Sequence, residues 1–540
     1  MNVLDLPLKK KDDLYAAYLS GDSRVSGLFD YDPYDAGSYI DRWKELKERS
    51  FPREELYKHL SSYHKKLPTS EKTWMNIEKL KDPDSTVVVT GQQAGLMTGP
   101  LYTVHKCLSA LLFAEQQEKR IGSPVIPIFW VAGEDHDFDE VNHIHVFEEG
   151  EIRKKKFSMN EGKRSVSYIP LPKPKLYEWV DEIIHAFGET EHTQELQKSL
   201  RTAIQETETW TEFFSYLMAG LFKELGIVML DANHPEVRRI ESSFFAEMIK
   251  DNDALDDAFK SGERNLVSHG YSSPVESEDG NSHLFIDEQD TRVLLFRDGE
   301  RHFRGKNNEC LYTMKELTDL AIHHPDRLSN NVISRPLMQE KLLPTLAFVA
   351  GPGEIAYWSM LKPVFHLHSV KMPPVLPRLS ILLIDRVTQK LLRDKDIDVE
   401  QVLDAKIPVE KEQWLTQQDD PDIDSEFLHT VEAFQREHDR LKNTAKTIDK
   451  GLEPLAEKNW RIIEGQLQFL KERMKRSIYE KYETELRKFD YIESHLMPKN
   501  QPQERVLNVY EFINQYGEQF ITELASNEFS WNGKPKAIFL

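Results

Sequence analysis

Cysteine and long apolar runs are scarce in this chain, and both shortages exclude whole classes of protein. Its 540 residues contain two cysteines, Cys107 and Cys310, which lie far apart in sequence, so we expect neither a disulfide framework nor a cysteine zinc site. No stretch approaches about 20 consecutive apolar residues, the length that a membrane-spanning helix needs. The first residues, MNVLDLPLKKKDDL, lack the apolar core of a signal peptide. We therefore expect a cytoplasmic protein without a membrane partner.

Positive charge is also in short supply. The chain has 70 lysines and arginines against 91 aspartates and glutamates, a formal net charge of −21. A nucleic acid would meet a repulsive average field, so we expect no nucleic-acid partner, although a local basic pocket is compatible with this balance. The hydrophobic content of 39% is typical of a globular protein, and the length predicts two to four domains at roughly 100–200 residues per domain.

What the chain does have is a strand–glycine–helix pattern over residues 86–106, TVVVTGQQAGLMTGPLYTVHK. The apolar run 87–89 predicts a strand that ends at Thr90-Gly91, and Pro100 predicts the start of a helix. This layout offers backbone N–H groups and the positive end of a helix to an anion. It matches neither the dinucleotide glycine pattern nor the phosphate loop. A glycine turn that only joins a strand to a helix is the structural alternative.

Polar side chains accompany this pattern at the strand end and the helix start. His105 and Lys106 suit a phosphate, because an imidazole is a switchable donor and an ammonium is a fixed positive charge. A solvated helix lysine is the alternative for Lys106. The other residues that we predict to bind a ligand here are Gln92, Gln93, Thr98, Gly99 and Tyr102.

A second group of polar residues follows a second buried strand, in PIFWVAGEDHDFDEVNH at residues 127–143. Carboxylates and imidazoles in this group could ligate a divalent cation, but their spacing matches no established zinc pattern. Binding of a polar substrate, or a purely structural loop, are the other two interpretations. The candidates for substrate binding or catalysis are Glu134, Asp135, His136, Asp137 and Asn142.

A third group lies in SRPLMQEKLLPTLAFVAGPGEIAYW, residues 334–358. The apolar piece 345–350 predicts a strand, and Gly351-Pro352-Gly353 predicts a tight exit from it. If the sheet is parallel, all three glycine-bearing exits open on one edge, and we expect the active site there. The substrate-binding candidates in this group are Arg335, Gln339, Glu354, Tyr357 and Trp358.

The C-terminal third shows helical periodicity of another kind. Apolar residues follow a 4-3 spacing, which is typical of a coiled coil, at Phe427, Val431, Phe434, His438, Leu441, Ala445, Ile448, Leu452 and Leu455. A second apolar stripe runs from Ile463 to Phe489, and Gly451 and Pro454 lie between the two. We predict an antiparallel helical hairpin about 45 Å long at 1.5 Å per residue. Such an arm could pair only with itself or also with another subunit.

The order of these patterns predicts an α/β fold: a Rossmann-like parallel-sheet core with two inserted regions and a C-terminal antiparallel α-helical coiled coil. The predicted segments are an N-terminal helical segment (1–84), the first part of the core (85–149), insertion 1 (150–210), a core continuation (211–262), a β-rich insertion 2 (263–330), the second part of the core (331–400), the coiled-coil arm (422–492) and a segment returning to the core (493–540).

Three motifs in this order, TGQQAGLMTGPLYTVHK, FWVAGEDHDFDEVNH and FVAGPGEIAYW, resemble the cysteine ligase family of bacillithiol biosynthesis. The similarity covers essentially the whole chain. It implies a Rossmann-like core related to class I aminoacyl-tRNA synthetases, with two connecting-peptide insertions and a coiled coil. It also implies a reaction that joins cysteine to the amine of glucosaminyl-malate, so these two molecules are the expected substrates.

The resemblance suggests roles for the candidate residues. Catalysis is expected from His105, Lys106, Glu134 and Asp135. From their charges, Glu134, Asp135 and Asp137 suit the ammonium of cysteine, and Arg335 or Lys106 suits a malate carboxylate or a phosphate. Because a free carboxylate is a poor electrophile, we expect ATP with Mg²⁺ as cosubstrate and no tightly bound metal. The synthetase signature His-x-Gly-His is absent, and Pro377–Ser380, PRLS, only faintly resembles Lys-Met-Ser-Lys-Ser. The expected nucleotide-binding residues are Thr98, Gly99, His105, Lys106 and Arg378.

Two other functions fit the same residues. A metal-dependent hydrolase could use Asp135, His136 and His143. A non-catalytic scaffold could bind a ligand in the core and recruit partners through its coiled coil. In the ligase interpretation, we expect a homodimer that forms through the arm.

Overall fold

The chain folds into two compact units in a computed structural model, which describes residues 2–8, 13–135, 137–148, 150–159, 164–275, 278–299, 301–418 and 420–540. The core unit contains the residues up to Ile384 together with Gln501–Leu540, and the arm unit contains Asp385–Asn500. Within these described ranges, no helix has both the length and the apolar character that a bilayer crossing needs.

The core unit contains all the strands. They are β1 (Asn2–Asp5), β2 (Thr86–Gln92), β3 (Val125–Val131), β4 (His143–Glu148), β5 (Glu151–Lys156), β6 (Val228–Asp231), β7 (Asn281–Glu288), β8 (Thr291–Arg297), β9 (His302–Gly305), β10 (Leu311–Thr313), β11 (Leu328–Asn330), β12 (Thr345–Ala350), β13 (Val375–Pro377), β14 (Ile381–Ile384) and β15 (Lys536–Phe539).

Helices connect and cover the strands. They are α1 (Leu14–Leu19), α2 (Ser23–Ser26), α3 (Ala36–Lys47), α4 (Arg53–Tyr63), α5 (Glu71–Lys79), α6 (Leu101–Ile121), α7 (Phe138–Val141), α8 (Lys173–Phe187), α9 (Thr193–Glu206), α10 (Trp210–Phe222), α11 (Pro235–Lys250), α12 (Asn252–Ser268), α13 (Met314–His323), α14 (Ser334–Leu342), α15 (Pro352–Trp358), α16 (Lys362–Leu367), α17 (Arg386–Lys395), α18 (Val399–Leu403), α19 (Ile407–Thr416), α20 (Ile423–Ile448), α21 (Glu453–Lys481), α22 (Glu483–Leu496), α23 (Gln503–Val506), α24 (Val509–Tyr516) and α25 (Phe520–Ala525).

A five-stranded parallel sheet forms the centre of the core unit, in the order β13-β12-β2-β3-β6. Every residue of β3, VIPIFWV, is buried, because a parallel sheet is covered on both faces and selects a continuous apolar run. The predicted Rossmann-like parallel sheet is therefore confirmed. Since all five strands run in the same direction, their carboxyl ends share one edge.

The close approach of β2 and β3 requires glycine at position 91. A Cβ atom there would lie 2.7 Å from the backbone oxygen of Trp130, a distance that real Cβ atoms do not reach. Gly91 pairs with Trp130 in the parallel register. The glycine that ends the first predicted strand thus serves packing between strands as well as the exit from the sheet.

The inserted regions carry their own sheets. Strands β10-β9-β8-β7-β11 form an antiparallel sheet over residues 281–330, within the segment predicted as the β-rich insertion 2. In insertion 1, β4 and β5 form a hairpin that begins at His143, earlier than the predicted boundary at residue 150.

The apolar run SILLID, residues 380–385, lies in the segment predicted as the second part of the core (331–400). It does not, however, extend the parallel core sheet. Strand β14 pairs instead with β15 from the C-terminus, and β15 pairs with β1 from the N-terminus. The short strand β13, which no periodicity indicated, occupies the edge position beside β12. Buried strands at a core edge and in a satellite sheet have the same composition, so only strand pairing distinguishes them. The core unit ends at Ile384, before the predicted boundary at residue 400.

The arm unit contains α17–α22, and α20 and α21 form the predicted antiparallel hairpin. A short turn at Lys450–Leu452 joins them. His438 of α20 is buried, and its Nε2 lies 3.2 Å from Asn459 Oδ1 of α21. The predicted 4-3 series is split, however. Five of its nine residues are buried or half-buried, namely Phe427, Val431, His438, Ala445 and Leu452, and the other four are exposed, namely Phe434, Leu441, Ile448 and Leu455.

Candidate functional site

The carboxyl ends of four parallel strands open on one cavity of about 360 Å³, which we call the edge pocket. The three glycine-bearing exits meet there, as we expected for a parallel sheet. The lining residues that the sequence had indicated are Gln92, Gln93, Tyr102, Lys106, Asp135, Arg335, Gln339, Glu354, Tyr357 and Arg378. This convergence is a feature of geometry, and the roles of the individual side chains stay predictions.

Arg335 joins the second and third motifs. It follows the N-terminus of α14, and its guanidinium donates from Nε to Glu134 Oε1 at 2.9 Å and from Nη2 to Asp135 Oδ1 at 3.1 Å. Arg292 of insertion 2 donates to the same Asp135 oxygen at 3.2 Å, and Gln93 Nε2 lies 3.2 Å from the other. Asp135 is thus held by three side chains from three parts of the chain.

Burial would raise the pKa of the Asp135 carboxyl, but the guanidinium groups of Arg335 and Arg292 lower it below its usual value. Burial would lower the pKa of Arg335, yet Glu134 and Asp135 raise it. The Asp135 carboxylate and the Arg335 guanidinium therefore stay charged at neutral pH. Glu134 has one buried oxygen, Oε2, without a hydrogen-bond partner in the part of the chain that the structure describes.

Lys106 joins the first and third motifs from the second turn of α6. Its ammonium donates to Gly91 O at 2.7 Å and to Gln92 Oε1 at 3.0 Å, and it pairs with Glu354 Oε2 at 2.5 Å. An ammonium has three N–H donors, so these acceptors use all of them. Burial lowers the pKa of Lys106, and Glu354 only partly offsets this. The alternative of a solvated helix lysine does not apply, since Lys106 is buried.

Arg378 follows β13 and is fixed by a carboxylate from the C-terminal segment. Its Nη1 and Nη2 donate to Glu504 Oε2 and Oε1, both at 2.6 Å. Glu504 Oε2 also lies 3.1 Å from His105 Nδ1. Burial would raise the pKa of Glu504, but Arg378 and His105 hold it well below its usual range. Burial lowers the pKa of His105, so its imidazole is neutral.

The loop before α6 is closed to ligands. Met97, Thr98 and Gly99 all have positive φ values, of 45°, 66° and 72°, and the amide of Asn508 donates to Met97 O and Gly99 O at 2.8 Å each. At the helix start, the backbone N–H of Leu101 donates to Leu507 O at 2.9 Å. The C-terminal segment thus takes the N–H of Leu101 and two carbonyl oxygens of the loop, and Thr98 and Gly99 lie outside the pocket lining.

Other predicted residues also lie away from the edge pocket. His105 is fully buried against Glu504, Trp358 stacks on Phe348 in the core with ring centroids 4.5 Å apart, and Asn142 donates to Asp139 at 3.2 Å. Glu134 supports the pocket from behind through Arg335. Asp137 is exposed, and His136 falls outside the described residues.

A larger cavity of about 730 Å³ lies at the carboxyl end of β6, which the sequence did not indicate. His59, Tyr168, Asp231 and His234 contribute to its walls. Burial raises the pKa of Asp231 to about 7 and lowers that of His59 to about 3. The edge pocket is the better candidate for the reaction, because its wall brings together charged side chains from three strand exits.

Among the described residues, one group of three potential metal ligands converges, formed by Glu247, Asp251 and His368. Glu247 already pairs with Lys341 at 2.9 Å. Asp135 and His143 belong to no such group within the described ranges, so the geometry adds no support to the metal-dependent hydrolase.

Sequence reasoning missed three arginine and glutamate residues at the edge pocket. Glu504 and Arg505 come from α23, and Arg292 comes from β8 of insertion 2. No local motif marks them, because their importance arises from contacts with residues more than a hundred positions away. Only strand pairing and the return of the C-terminal segment bring them to the pocket.

Comparison with known proteins gives matches along the whole chain. Residues 1–379 match the family model described as Bacillithiol biosynthesis BshC, N-terminal Rossmann-like domain, and residues 381–540 match its C-terminal coiled-coil domain. A protein of Geobacillus sp. (strain WCH70) named "Putative cysteine ligase BshC" is 39% identical over 542 residues and 100% of both chains. A protein of the same name from Bacillus cereus (strain ATCC 10987 / NRS 248) is 37% identical over 97% of each chain.

Proposed function

The chain belongs to the BshC family of bacillithiol biosynthesis, and from this premise we propose that it is a cysteine ligase whose active site is the edge pocket. The reaction joins the carboxylate of cysteine to the amine of glucosaminyl-malate in an amide bond. The observation that carries the proposal is the convergence of Lys106, Asp135, Arg335 and Glu354 from separate strand exits on one cavity.

The paired charges of the pocket suit substrates that themselves carry several charges. Arg335 and Lys106 are already oriented by carboxylates, so they present fixed positive charge without reorganisation when a substrate carboxylate arrives. An incoming ammonium group would have to share Asp135 or Glu354 with these cations. Both substrates contain a carboxylate and an amine, and a wall of alternating charges recognises such molecules.

ATP with Mg²⁺ is part of this proposal on chemical grounds. Amide formation from a free carboxylate requires a leaving group better than hydroxide, which a phosphate or an adenylate supplies. A carboxylate oxygen of cysteine then departs with the phosphorus, and the amine loses a proton as the C–N bond forms. Lys106 and Arg378 are the residues of the predicted nucleotide set that line the pocket, and they suit phosphate oxygens.

Reconstitution tests the proposed activity. Purified protein is incubated with cysteine, glucosaminyl-malate and ATP–Mg²⁺, and mass spectrometry follows the amide product and the spent nucleotide. We expect one nucleotide cleaved per amide formed and no product without ATP. In cells that lack the protein, glucosaminyl-malate should accumulate and bacillithiol should disappear. Normal bacillithiol in such cells would contradict the ligase function.

Variants separate a ligase from a scaffold. Glu354→Gln and Lys106→Met should each reduce turnover at least 100-fold, on the order expected for loss of a preorganised charge at a reacting centre. Lys198→Met is the matched control, since Lys198 is exposed and lies outside the pocket. If the pocket variants still restore bacillithiol to cells while arm variants do not, the protein acts as a scaffold.

We also propose that the arm joins two copies of the chain. Exposed apolar residues lie on both helices of the hairpin: Phe434, Leu441 and Ile448 on α20, and Leu455, Ile462 and Phe469 on α21. Within each helix they recur at every seventh position, which is the spacing of coiled-coil knobs, and the same residues of a second copy supply matching holes in a twofold arrangement. Analytical ultracentrifugation should show a dimer, and a monomer at all concentrations would contradict this.

The two cysteine side chains are unpaired, with Cys107 buried. Free thiols and a thiol substrate both favour a reducing compartment, which supports a cytoplasmic location as part of the proposal. Fractionation of cells would test it, since recovery of the protein outside the cytoplasm would contradict it.

A further inference from the structure

We propose that Arg505 and Tyr102 form an oxyanion subsite at the Arg378 end of the edge pocket, where a carboxylate or phosphate group of a substrate binds. The identity of that substrate rests on the proposed ligase function. The binding of the oxyanion itself does not, because it can be measured without turnover.

Arg505 differs from the other cations of the pocket. Lys106, Arg335 and Arg378 each pair with a carboxylate of the protein. The side chain of Arg505 is exposed, lines the pocket, and has no hydrogen-bond or ion-pair partner in the described part of the chain. A guanidinium carries five N–H donors in a planar fork that matches a carboxylate or a phosphate. This one is uncommitted, so its charge is available to a ligand.

A tyrosine side chain lines the pocket together with these arginines. Tyr102 belongs to the same wall as Arg505 and Arg378, and the guanidinium carbon of Arg378 lies 5.9 Å from the ring centre of Tyr102. Burial raises the pKa of Tyr102. Its hydroxyl therefore keeps its proton and can donate, and it has no hydrogen-bond partner within the described ranges.

The short helix α23 builds this end of the pocket through two adjacent residues. Glu504 binds both Nη atoms of Arg378, which leaves the Nε of Arg378 directed toward Gly351. A Cβ atom on Gly351 would lie 3.7 Å from that nitrogen. The next residue, Arg505, contributes the free guanidinium. One turn of chain thus fixes one arginine and presents another beside it.

The donors define the ligand by its chemistry. A guanidinium, an Nε–H group and a phenol hydroxyl supply hydrogen bonds and positive charge, and they accept only an anion with several oxygens. In the proposed reaction, such a group comes either from the malate part of the amino-sugar substrate or from the phosphates of ATP.

Isothermal titration of the full-length protein distinguishes these sources. Malate, inorganic phosphate and ATP–Mg²⁺ are titrated separately into the wild type, Arg505→Gln, Arg505→Lys and Tyr102→Phe. We expect Arg505→Gln to weaken binding of either malate or the phosphate ligands at least tenfold. Arg505→Lys should restore part of the affinity, because it keeps the charge and loses the fork. The ligand whose affinity falls identifies the occupant.

Arg264→Gln is the matched control, since Arg264 is exposed and lies outside the pocket, and it should change no affinity. Thermal midpoints verify that each variant is folded. Unchanged affinity of folded Arg505→Gln for malate, phosphate and ATP would overturn the subsite. A loss of affinity in a protein that forms no amide would keep the subsite and contradict the ligase function. If both the subsite and the ligase function are correct, Arg505→Gln raises the KM of the identified substrate while kcat changes little.

Discussion

The core unit and the arm unit use similar apolar side chains in opposite ways. In the core, β3 buries all its residues, and Trp130 is only 1% exposed. In the arm, Leu441 is 67% exposed and Ile448 is 76% exposed, although both belong to a regular apolar series. Periodicity reveals that a helix has an apolar row, but it does not reveal which surface covers that row.

Ion pairs of the two units also differ in burial. Arg42 and Glu340 of the core pair at 2.5 Å with both side chains fully buried. In the arm, Lys475 and Asp424 pair at 2.8 Å with side chains 37% and 62% exposed. Water screens exposed pairs, whereas a buried charge that loses its partner cannot be solvated. A buried pair such as Arg42–Glu340 therefore matters to folding, whereas an exposed pair such as Lys475–Asp424 contributes little.

The largest expected effect comes from breaking a buried pair of the core. Arg42→Met leaves Glu340 with one fewer cation and should lower the free energy of unfolding by about 3–5 kcal/mol, measured by urea denaturation. Arg24→Met is the control, because Arg24 pairs with Asp22 at the surface, with side chains 54% and 27% exposed. Its effect should stay within about 1 kcal/mol. Similar losses in the two variants would contradict the contrast between buried and exposed pairs.

An effect of similar size at high pH and smaller size at low pH is expected at Asp231, a core carboxyl without a cationic partner at hydrogen-bond distance among the described residues. Burial raises its pKa from 3.8 to about 7. A raised carboxyl pKa destabilises the fold as pH increases, since the cost is absent below the unfolded pKa and complete above the folded one. Asp231→Asn should therefore raise the free energy of unfolding by about 4 kcal/mol at pH 8 and by about 2 kcal/mol at pH 5.

Thermal and urea unfolding of the Asp231→Asn variant at the two pH values measure this difference. The asparagine keeps an oxygen for the backbone N–H of Asn233, which lies 3.0 Å from Asp231 Oδ1 in the native protein. An equal gain at both pH values would show that Asp231 is not the source of the pH dependence.

The smallest effect on folding is expected in the arm. Leu441→Ala combined with Ile448→Ala should cost each copy less than about 1 kcal/mol, because exposed side chains lose little on truncation. Leu230→Ala in the fully buried β6 should cost about 2–5 kcal/mol. In the proposed dimer, the arm variant should dissociate at micromolar concentration, as measured by ultracentrifugation. A dimer of unchanged stability would place the subunit contact elsewhere.

The secondary structure of both units was largely predictable. Strands β2, β3 and β12 follow from short apolar runs that end in polar or glycine residues, and the hairpin of α20 and α21 follows from its 4-3 spacing. The run SILLID lies in the segment predicted as the second part of the core, but it does not join the parallel sheet, because an apolar run does not specify its neighbour strand. The edge position belongs to β13, which has only three residues.

The candidate site was predictable only in part. Lys106, Arg335 and Glu354 line one pocket because the carboxyl ends of parallel strands must share an edge. Thr98 and Gly99 were predicted from a helix start that usually faces a ligand, but Leu507 accepts the N–H of Leu101 there, and Asn508 donates to Met97 O and Gly99 O. No local sequence pattern could reveal that residues near the C-terminus bind the backbone of this loop.

The sequence by itself determined the class of fold, the polar groups at three strand exits and the helical arm, because each depends on side-chain periodicity and turn residues within about 20 positions. Tertiary structure alone decided which charges meet. Arg378 and Glu504 lie 126 positions apart. The contacts with Arg378 and His105 that lower the pKa of Glu504, and the burial that lowers the pKa of His105, exist only once the C-terminal segment has packed against α6. The ion pairs and pKa values of the site therefore depend on the folded structure, since charge pairing and desolvation act through space and not along the sequence.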